Sequence, residues 1–234
     1  MKLAMWSGPR NLSTAMMYAF AQRPDFAVWD EPFYAAYLAE SGADHPMRDE
    51  VIAVGVADAR DVARRCAGPV PEGRAHWYLK VMPHHMLDGF PQDWAAGCTN
   101  VHLIRHPARV VASYVAKREA PTLDDIGFRQ QAELFDRIGG VVIDSADVRD
   151  APEPMLRRLC DAVGLDFDPA MLSWPEGGNP ADGAWAPHWY RAIHASTGFA
   201  GPEGPMPEVT GEAWQLVEAA MPFYEALHAR RLTA

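Results

Sequence analysis

The sequence predicts an α/β protein of three layers, in which helices cover both faces of a central, mostly parallel sheet. Short apolar runs rich in β-branched and aromatic residues recur along the chain, as in strands buried on both faces. Longer amphipathic stretches separate them, which is the alternation typical of βαβ units. The 234 residues are 49% hydrophobic and 22% charged, so we expect a single domain over 1–234 with a sizeable core.

Five runs are strand candidates: Lys2–Trp6, Phe26–Trp29, Trp77–Met82, Asn100–Ile104 and Val141–Ile143. Helical patterns cover 13–22, 48–66, 107–117, 152–163 and 210–230. Ser13 is a candidate N-cap, Pro107 suits the first turn of a helix ending near Lys117, and Gly164 suits a C-cap. Residues near 173–208 are rich in Pro, Gly, Trp and His and predict an irregular lid or loop, with a homodimer contact as another role.

Charge and cysteine content exclude some classes of function. The formal net charge is −10, whereas non-specific nucleic-acid binding needs a basic footprint, so no nucleic-acid partner is expected. Three cysteines without metal or redox spacing suggest a reducing compartment. The start MKLAMWSGPR does not read as a signal peptide, and no run approaches the ~20 apolar residues of a membrane span. The expectation is a cytoplasmic protein with no membrane partner.

The segment WSGPRNLST, residues 6–14, links the first strand to the first helix and resembles a phosphate-binding loop. A helix N-terminus offers free N–H groups, Gly8 permits a tight turn, and Arg10 adds a positive fork suited to phosphate or sulfate. The nucleotide triphosphate pattern G-x-x-x-x-G-K-S/T fails, because Ser13 and Thr14 stand where its second glycine and its lysine belong. The alternative is an ordinary turn with polar capping residues.

A second stretch, VHLIRHPARVVASYVAKR, places Arg105 at the carboxyl end of a predicted strand and Ser113 about two turns into the next helix. Ligands bind at that edge of open α/β sheets, although a surface ion pair would also explain the arginine. Together the two stretches resemble the sulfotransferases that use 3′-phosphoadenosine-5′-phosphosulfate (PAPS). Residues 9–14 align without a gap with that family's P-K/R-S-G-T-T loop, and Arg105, Pro107 and Ser113 match its R-x-P and following serine.

The resemblance implies a P-loop nucleotide-binding type of fold and transfer of a sulfuryl group from PAPS to a hydroxyl or amine of a small-molecule acceptor. Adenosine 3′,5′-bisphosphate would be the product, and no metal is expected. Arg10 stands where most members carry the lysine that neutralises leaving-group charge. The implied cofactor-binding residues are Gly8, Pro9, Arg10, Asn11, Leu12, Ser13, Thr14, Arg105 and Ser113.

The chain departs from the family at two places. Asn11 and Leu12 replace the usual Ser-Gly of the loop, and the C-terminal R-K-G-x-x-G segment on the 3′-phosphate is missing. Residues 185–199 are a candidate replacement for that segment. Two alternatives therefore stay open: a catalytically silent nucleotide-binding protein on the same fold, and a P-loop kinase-like enzyme, which the missing lysine disfavours.

Sulfuryl transfer needs a base near the acceptor proton. Glu31 follows the second strand, where several sulfotransferase branches carry a glutamate. His84 and His85 follow the third strand, slightly beyond the family's catalytic histidine, whose place Met82 takes. The sequence leaves open which of the three is the base, and Lys80 is a further candidate to hold the sulfuryl oxygens.

Overall fold

A computed structural model of the chain describes residues 1–116 and 121–233. Its core is a sheet of five strands in the order β2-β3-β1-β4-β5, and all four pairings are parallel. Each predicted strand is confirmed to within one residue at either end. The strands are β1 (Lys2–Ser7), β2 (Phe26–Asp30), β3 (His76–Val81), β4 (Thr99–Ile104) and β5 (Val141–Asp144).

Alternate strand residues face opposite layers of helices. Leu3, Met5 and Leu103 pack with the first helix and the helix after β5, whereas Ala4 and Trp6 pack against the other layer. This alternation confirms the three-layer architecture. The helices are α1 (Ser13–Ala21), α2 (Tyr34–Ser41), α3 (Arg48–Val54), α4 (Ala59–Ala67), α5 (Pro107–Val115), α6 (Leu123–Ile126), α7 (Phe128–Ile138), α8 (Ser145–Asp150), α9 (Pro152–Val163), α10 (Ala186–Trp189), α11 (Arg191–His194) and α12 (Gly211–His228).

Two details of the helix prediction are wrong. The pattern over 48–66 is two helices, because the backbone at Gly55 is extended, with φ −86° and ψ −177°. Gly55 also packs closely on the preceding helix, where a Cβ would lie 2.4 Å from the Ala35 Cβ. Asp58 then begins α4 by accepting hydrogen bonds from the backbone N–H groups of residues 60 and 61. Ser13 is the first residue of α1 rather than its cap; Leu12 is the N-cap and makes no side-chain capping bond.

The ends of other helices agree better with the sequence. α9 has the predicted bounds, and Gly164 is its left-handed C-cap with φ 74°. α5 begins at Pro107 and ends at Val115, while the predicted end near Lys117 lies outside the described residues. The apolar patterns did not reveal α2 and α7. Gln131 of α7 is buried and donates hydrogen bonds to the carbonyl oxygens of Trp6 and Leu103, at the ends of β1 and β4.

The segment 173–208 is irregular apart from α10 and α11. Trp185 and Tyr190 are buried in the cluster that contains α1, so this segment packs against one layer of the fold. An isolated antiparallel bridge joins its residues Ser173 and Gly198. Within the described residues, none of the helices has the length and apolar character needed to cross a membrane.

Candidate active site

The loop between β1 and α1 has an unusual backbone. Arg10 and Leu12 have positive φ angles of 62° and 73°, in the left-handed region that favours glycine. Gly8 is needed for a different reason, since a Cβ there would lie 2.7 Å from the carbonyl oxygen of Ile126. The loop thus turns tightly without the glycine that Leu12 replaces, and it leads into a helix N-terminus that no side chain caps. Such a terminus suits an anion.

Two arginines and a serine meet beside this loop. The Arg10 Nε donates a 3.0 Å hydrogen bond to the Ser113 Oγ, and the Arg105 Nη1 donates a 2.6 Å bond to the carbonyl oxygen of Arg10. Burial lowers the pKa of Arg10, and the nearby charge of Arg105 lowers it further. The two stretches that the sequence singled out therefore form one positively charged corner. Because like charges repel, two neighbouring guanidinium groups favour the binding of an anion that contacts both.

A buried ionic network lies at the carboxyl ends of β2 and β3. The Lys80 Nζ contacts the Asp30 Oδ1 at 2.9 Å, the Glu31 Oε1 at 2.8 Å and the Tyr190 hydroxyl at 2.5 Å. Tyr190 in turn donates to the Asp30 Oδ2 at 2.8 Å, and Trp185 donates its indole N–H to the Tyr190 hydroxyl at 3.0 Å. This network joins the sheet edge to the segment 173–208.

Glu31 is the strained member of that network, with a positive φ of 39°. Burial raises the pKa of Glu31, while the charge of Lys80 opposes the rise. Its second oxygen, Oε2, lies 4.0 Å from the Nδ1 of His85. A carboxylate that Lys80 holds on one oxygen and that lines a cavity, as Glu31 does, suits a general base.

His85 is 2% exposed and lies between the rings of Tyr34 and Tyr37, with both ring centroids 4.7 Å from its own. Its Nδ1 has no hydrogen-bond partner among the described residues. Burial places the pKa of His85 well below the usual range, so the imidazole is neutral near pH 7. His84 contacts His85 edge to face, at 4.4 Å between ring centroids.

A cavity of about 400 Å³ joins the arginine corner to the ionic network, within the size range of small-molecule sites. All of the residues predicted for the site line this cavity except Gly8. Gly8 has no side chain, which lets the loop pass close to the carbonyl oxygen of Ile126. The side chain of Asn11 is turned inward to the Leu103 carbonyl, so its backbone is the part available to a ligand. Further lining comes from Tyr34, His45, Trp185, Trp189, Tyr190 and Ile193.

Several residues of this site were missed in the sequence. Tyr190 belongs to the irregular segment, whose path over the sheet has no signal in the sequence. Asp30 precedes Glu31 in the chain, and the burial of both carboxylates together was not expected.

Among the described residues, no group of three or more His, Cys, Asp or Glu could hold a metal ion.

Comparison with solved structures supports the fold. A sulfotransferase domain from the Synechococcus PCC 7002 olefin synthase covers 94% of this chain and 94% of its own, with 19% identity and a TM-score of 0.50. A sulfotransferase domain from the curacin biosynthetic pathway covers 94% of this chain and 96% of its own, with 13% identity and a TM-score of 0.51. A sulfotransferase from Alicyclobacillus acidocaldarius covers 98% and 96%, with 15% identity and a TM-score of 0.51.

Two curated relatives are more similar in sequence. Branched-chain-amino-acid aminotransferase-like proteins 1 and 2 of Arabidopsis thaliana are 34% and 33% identical to this chain over 227 residues. The match covers 95% of this chain but 40% of each relative, so the larger part of those proteins lies outside it. Their name belongs to the whole protein. The family model for the sulfotransferase domain matches residues 1–231, and the chain therefore belongs to the sulfotransferase domain family.

Proposed function

We propose that this protein transfers a sulfuryl group from PAPS to a hydroxyl or amine of a small-molecule acceptor. The observation that carries the proposal is the joining of two anion-binding stretches at one end of one cavity. Arg10 and Ser113 are 3.0 Å apart, and Arg105 donates to the backbone of Arg10. PAPS carries negative groups at both its 5′ and 3′ ends, and charge-assisted contacts from arginine suit both.

The loop and the first turn of α1 would hold the 5′-phosphosulfate, through the backbone N–H groups of residues 10–14 and the Ser13 and Thr14 hydroxyls. Arg105 and Ser113 would hold the 3′-phosphate. Arg10 lies between these two ends and would neutralise the charge that develops on the leaving phosphate. The buried position of the corner favours each of these contacts, since low dielectric strengthens charge interactions.

Glu31 is the base in this proposal. The sulfur–oxygen bond to the 5′-phosphate breaks, the acceptor oxygen or nitrogen forms a new bond to sulfur, and the acceptor proton passes to the Glu31 Oε2. Lys80 contacts the Glu31 Oε1 at 2.8 Å and would position the carboxylate rather than hold the sulfuryl oxygens. His85 remains neutral at 4.0 Å from the Glu31 Oε2 and would help to orient that carboxylate. His84 lines the acceptor side of the cavity.

The first test is thermal melting with adenosine 3′,5′-bisphosphate, beside ATP with Mg²⁺. A ligand at a hundred times its dissociation constant stabilises by about 2.7 kcal/mol, which is a rise of roughly 5–11 °C for a chain of this length. We expect the rise with the bisphosphate alone, followed by PAPS turnover in an acceptor screen. A rise with ATP and Mg²⁺ alone would make the protein kinase-like, and binding without turnover across the screen would favour a silent nucleotide-binding protein.

Arg105→Ala tests the site assignment. It removes a charge-assisted contact worth about 1.5–3 kcal/mol, so bisphosphate binding should weaken by about ten- to hundred-fold. The control is Arg158→Ala, an arginine on the exposed face of α9. Equal binding by the Arg105 variant and the wild type would refute the assignment of the 3′-phosphate.

A further inference from the structure

Three arginines from different parts of the fold converge on one carboxylate. Glu203 belongs to the irregular segment, and its side chain is 3% exposed. Its Oε1 lies 2.5 Å from the Arg105 Nη2 and 3.2 Å from the Arg149 Nη1, and its Oε2 lies 2.7 Å from the Arg109 Nε. The arginines lie just after β4, in the first turn of α5 and in α8. Nothing in the sequence links these four positions.

The charges of this cluster are unequal. Three guanidinium groups carry three positive charges, and the Glu203 carboxylate supplies one negative charge. Burial lowers the pKa of Arg105, and the positive charges of Arg149 and Arg109 lower it further. The negative charge of Glu203 has the opposite effect and raises this pKa. A phosphate monoester carries between about −1.5 and −2 and three acceptor oxygens at neutral pH, so it matches the cluster better than one carboxylate does.

The cluster adjoins the cavity. Arg105 lines the cavity and touches both Glu203 and the loop, and Gly198 and Ala200 of the same irregular segment line it too. We propose that Arg109 and Arg149 complete the 3′-phosphate site with Arg105, and that Glu203 is an internal anion that occupies this site until the 3′-phosphate displaces it. This inference rests on the proposed function and deepens it.

The same arginines hold the backbone around Glu203. The Arg149 Nε donates a 2.9 Å hydrogen bond to the Gly201 carbonyl oxygen, and Arg109 donates to the carbonyl oxygen of Gly204. Displacement of the carboxylate would therefore weaken the attachment of residues 201–204 as a unit. This segment follows Ala200, which lines the cavity, and would move aside as the 3′-phosphate enters.

The test compares adenosine 3′,5′-bisphosphate with AMP, which lacks the 3′-phosphate, by calorimetric titration of the full chain. Glu203→Gln keeps the shape of the side chain and removes its charge. If the Glu203 carboxylate occupies the phosphate site in about 90% of molecules, it lowers the apparent affinity for the bisphosphate ten-fold. The variant without this charge should therefore bind the bisphosphate about ten-fold tighter or more. Arg109→Ala and Arg149→Ala should each weaken bisphosphate binding by about ten-fold or more. AMP binding should stay unchanged in all three.

Matched controls are Glu208→Gln and Arg158→Ala, at exposed positions, which should bind both ligands like the wild type. Bisphosphate binding that is unchanged or weaker in Glu203→Gln, with unchanged binding in the arginine variants, would overturn this inference and leave the proposed function intact. A wild type that binds neither ligand would overturn both. The arginine variants keep the test valid should Glu203→Gln fold poorly.

Discussion

Removal of Lys80 should destabilise the protein strongly, because its ammonium group contacts two carboxylates that are largely buried with it. The Lys80 side chain is 2% exposed, and those of Asp30 and Glu31 are 1% and 11% exposed. Lys80→Met keeps most of the aliphatic volume and leaves both carboxylates without their ion pair. Breaking a buried pair by removing one partner costs about 3–5 kcal/mol.

That loss predicts a melting temperature lower by roughly 6–20 °C for a chain of this length. Differential scanning calorimetry at pH 7 measures it. Lys2→Met is the control, because the Lys2 Nζ makes one exposed hydrogen bond to the Ala67 carbonyl and should cost no more than about 1 kcal/mol. The double variant Lys80→Met, Asp30→Asn should recover part of the loss, with a coupling of about 0.5–3 kcal/mol.

The deficit should also depend on pH in a definite direction. Without the charge of Lys80, which opposes the burial that raises the pKa of Glu31, this pKa in the folded state rises further above its value in the unfolded chain. Such groups cost stability above their ordinary pKa, near 4, and cost nothing once protonated. The difference between variant and wild type should therefore be large at pH 7 and shrink toward pH 4. A loss below about 2 °C at pH 7, or a deficit that grows in acid, would refute this account of the network.

Five further predictions concern four single residues. Glu31→Gln should lower kcat by about 100- to 10,000-fold with unchanged bisphosphate binding, and a loss of binding instead would contradict its role as base. Because burial raises the pKa of Glu31, the acid limb of the kcat/KM profile should lie above pH 4.5 in the wild type and vanish in that variant. His85, neutral through burial, should show no imidazole titration by NMR from pH 6 to pH 8. Burial lowers the pKa of His102 from 6.5 to about 4, so stability should fall by about 3 kcal/mol as the pH drops through that window, and urea melts of His102→Gln should lack this dependence. Gly8→Ala should destabilise by about 1–3 kcal/mol in a urea melt, because its Cβ would meet the carbonyl oxygen of Ile126.

The strands and the position of the site could be predicted because both follow from local pattern. Each strand is a short apolar run, and chemistry-bearing residues at the ends of parallel strands share one sheet edge. Helices were harder to predict where the apolar periodicity is absent or interrupted. α2 is buried at residues 34–38 and has no polar face there to give a periodicity. In α7 the core-facing position 131 is a glutamine, which interrupts the apolar stripe because it bonds two strand ends.

The partners of the site residues could not be predicted, because they depend on contacts across long separations in sequence. Lys80 meets Tyr190 at a separation of 110 residues, and Arg105 meets Glu203 at a separation of 98. Both partners come from the irregular segment, whose composition marks it as a loop but does not fix its path. The sequence thus predicted which side chains would line the cavity, whereas their neighbours required the tertiary structure.

Leu12 has a consequence for how such loops are recognised in other sequences. Position 12, which is glycine in the loop pattern that this sequence resembles, adopts φ 73° here with a leucine, whose side chain packs against the core cluster of α1. A left-handed leucine costs about 1–2 kcal/mol, and apolar burial of the side chain can offset that amount. A sequence pattern can therefore fail at this position while the backbone still makes the left-handed turn. Pattern searches that insist on glycine here will pass over domains that make this turn with a partly buried leucine.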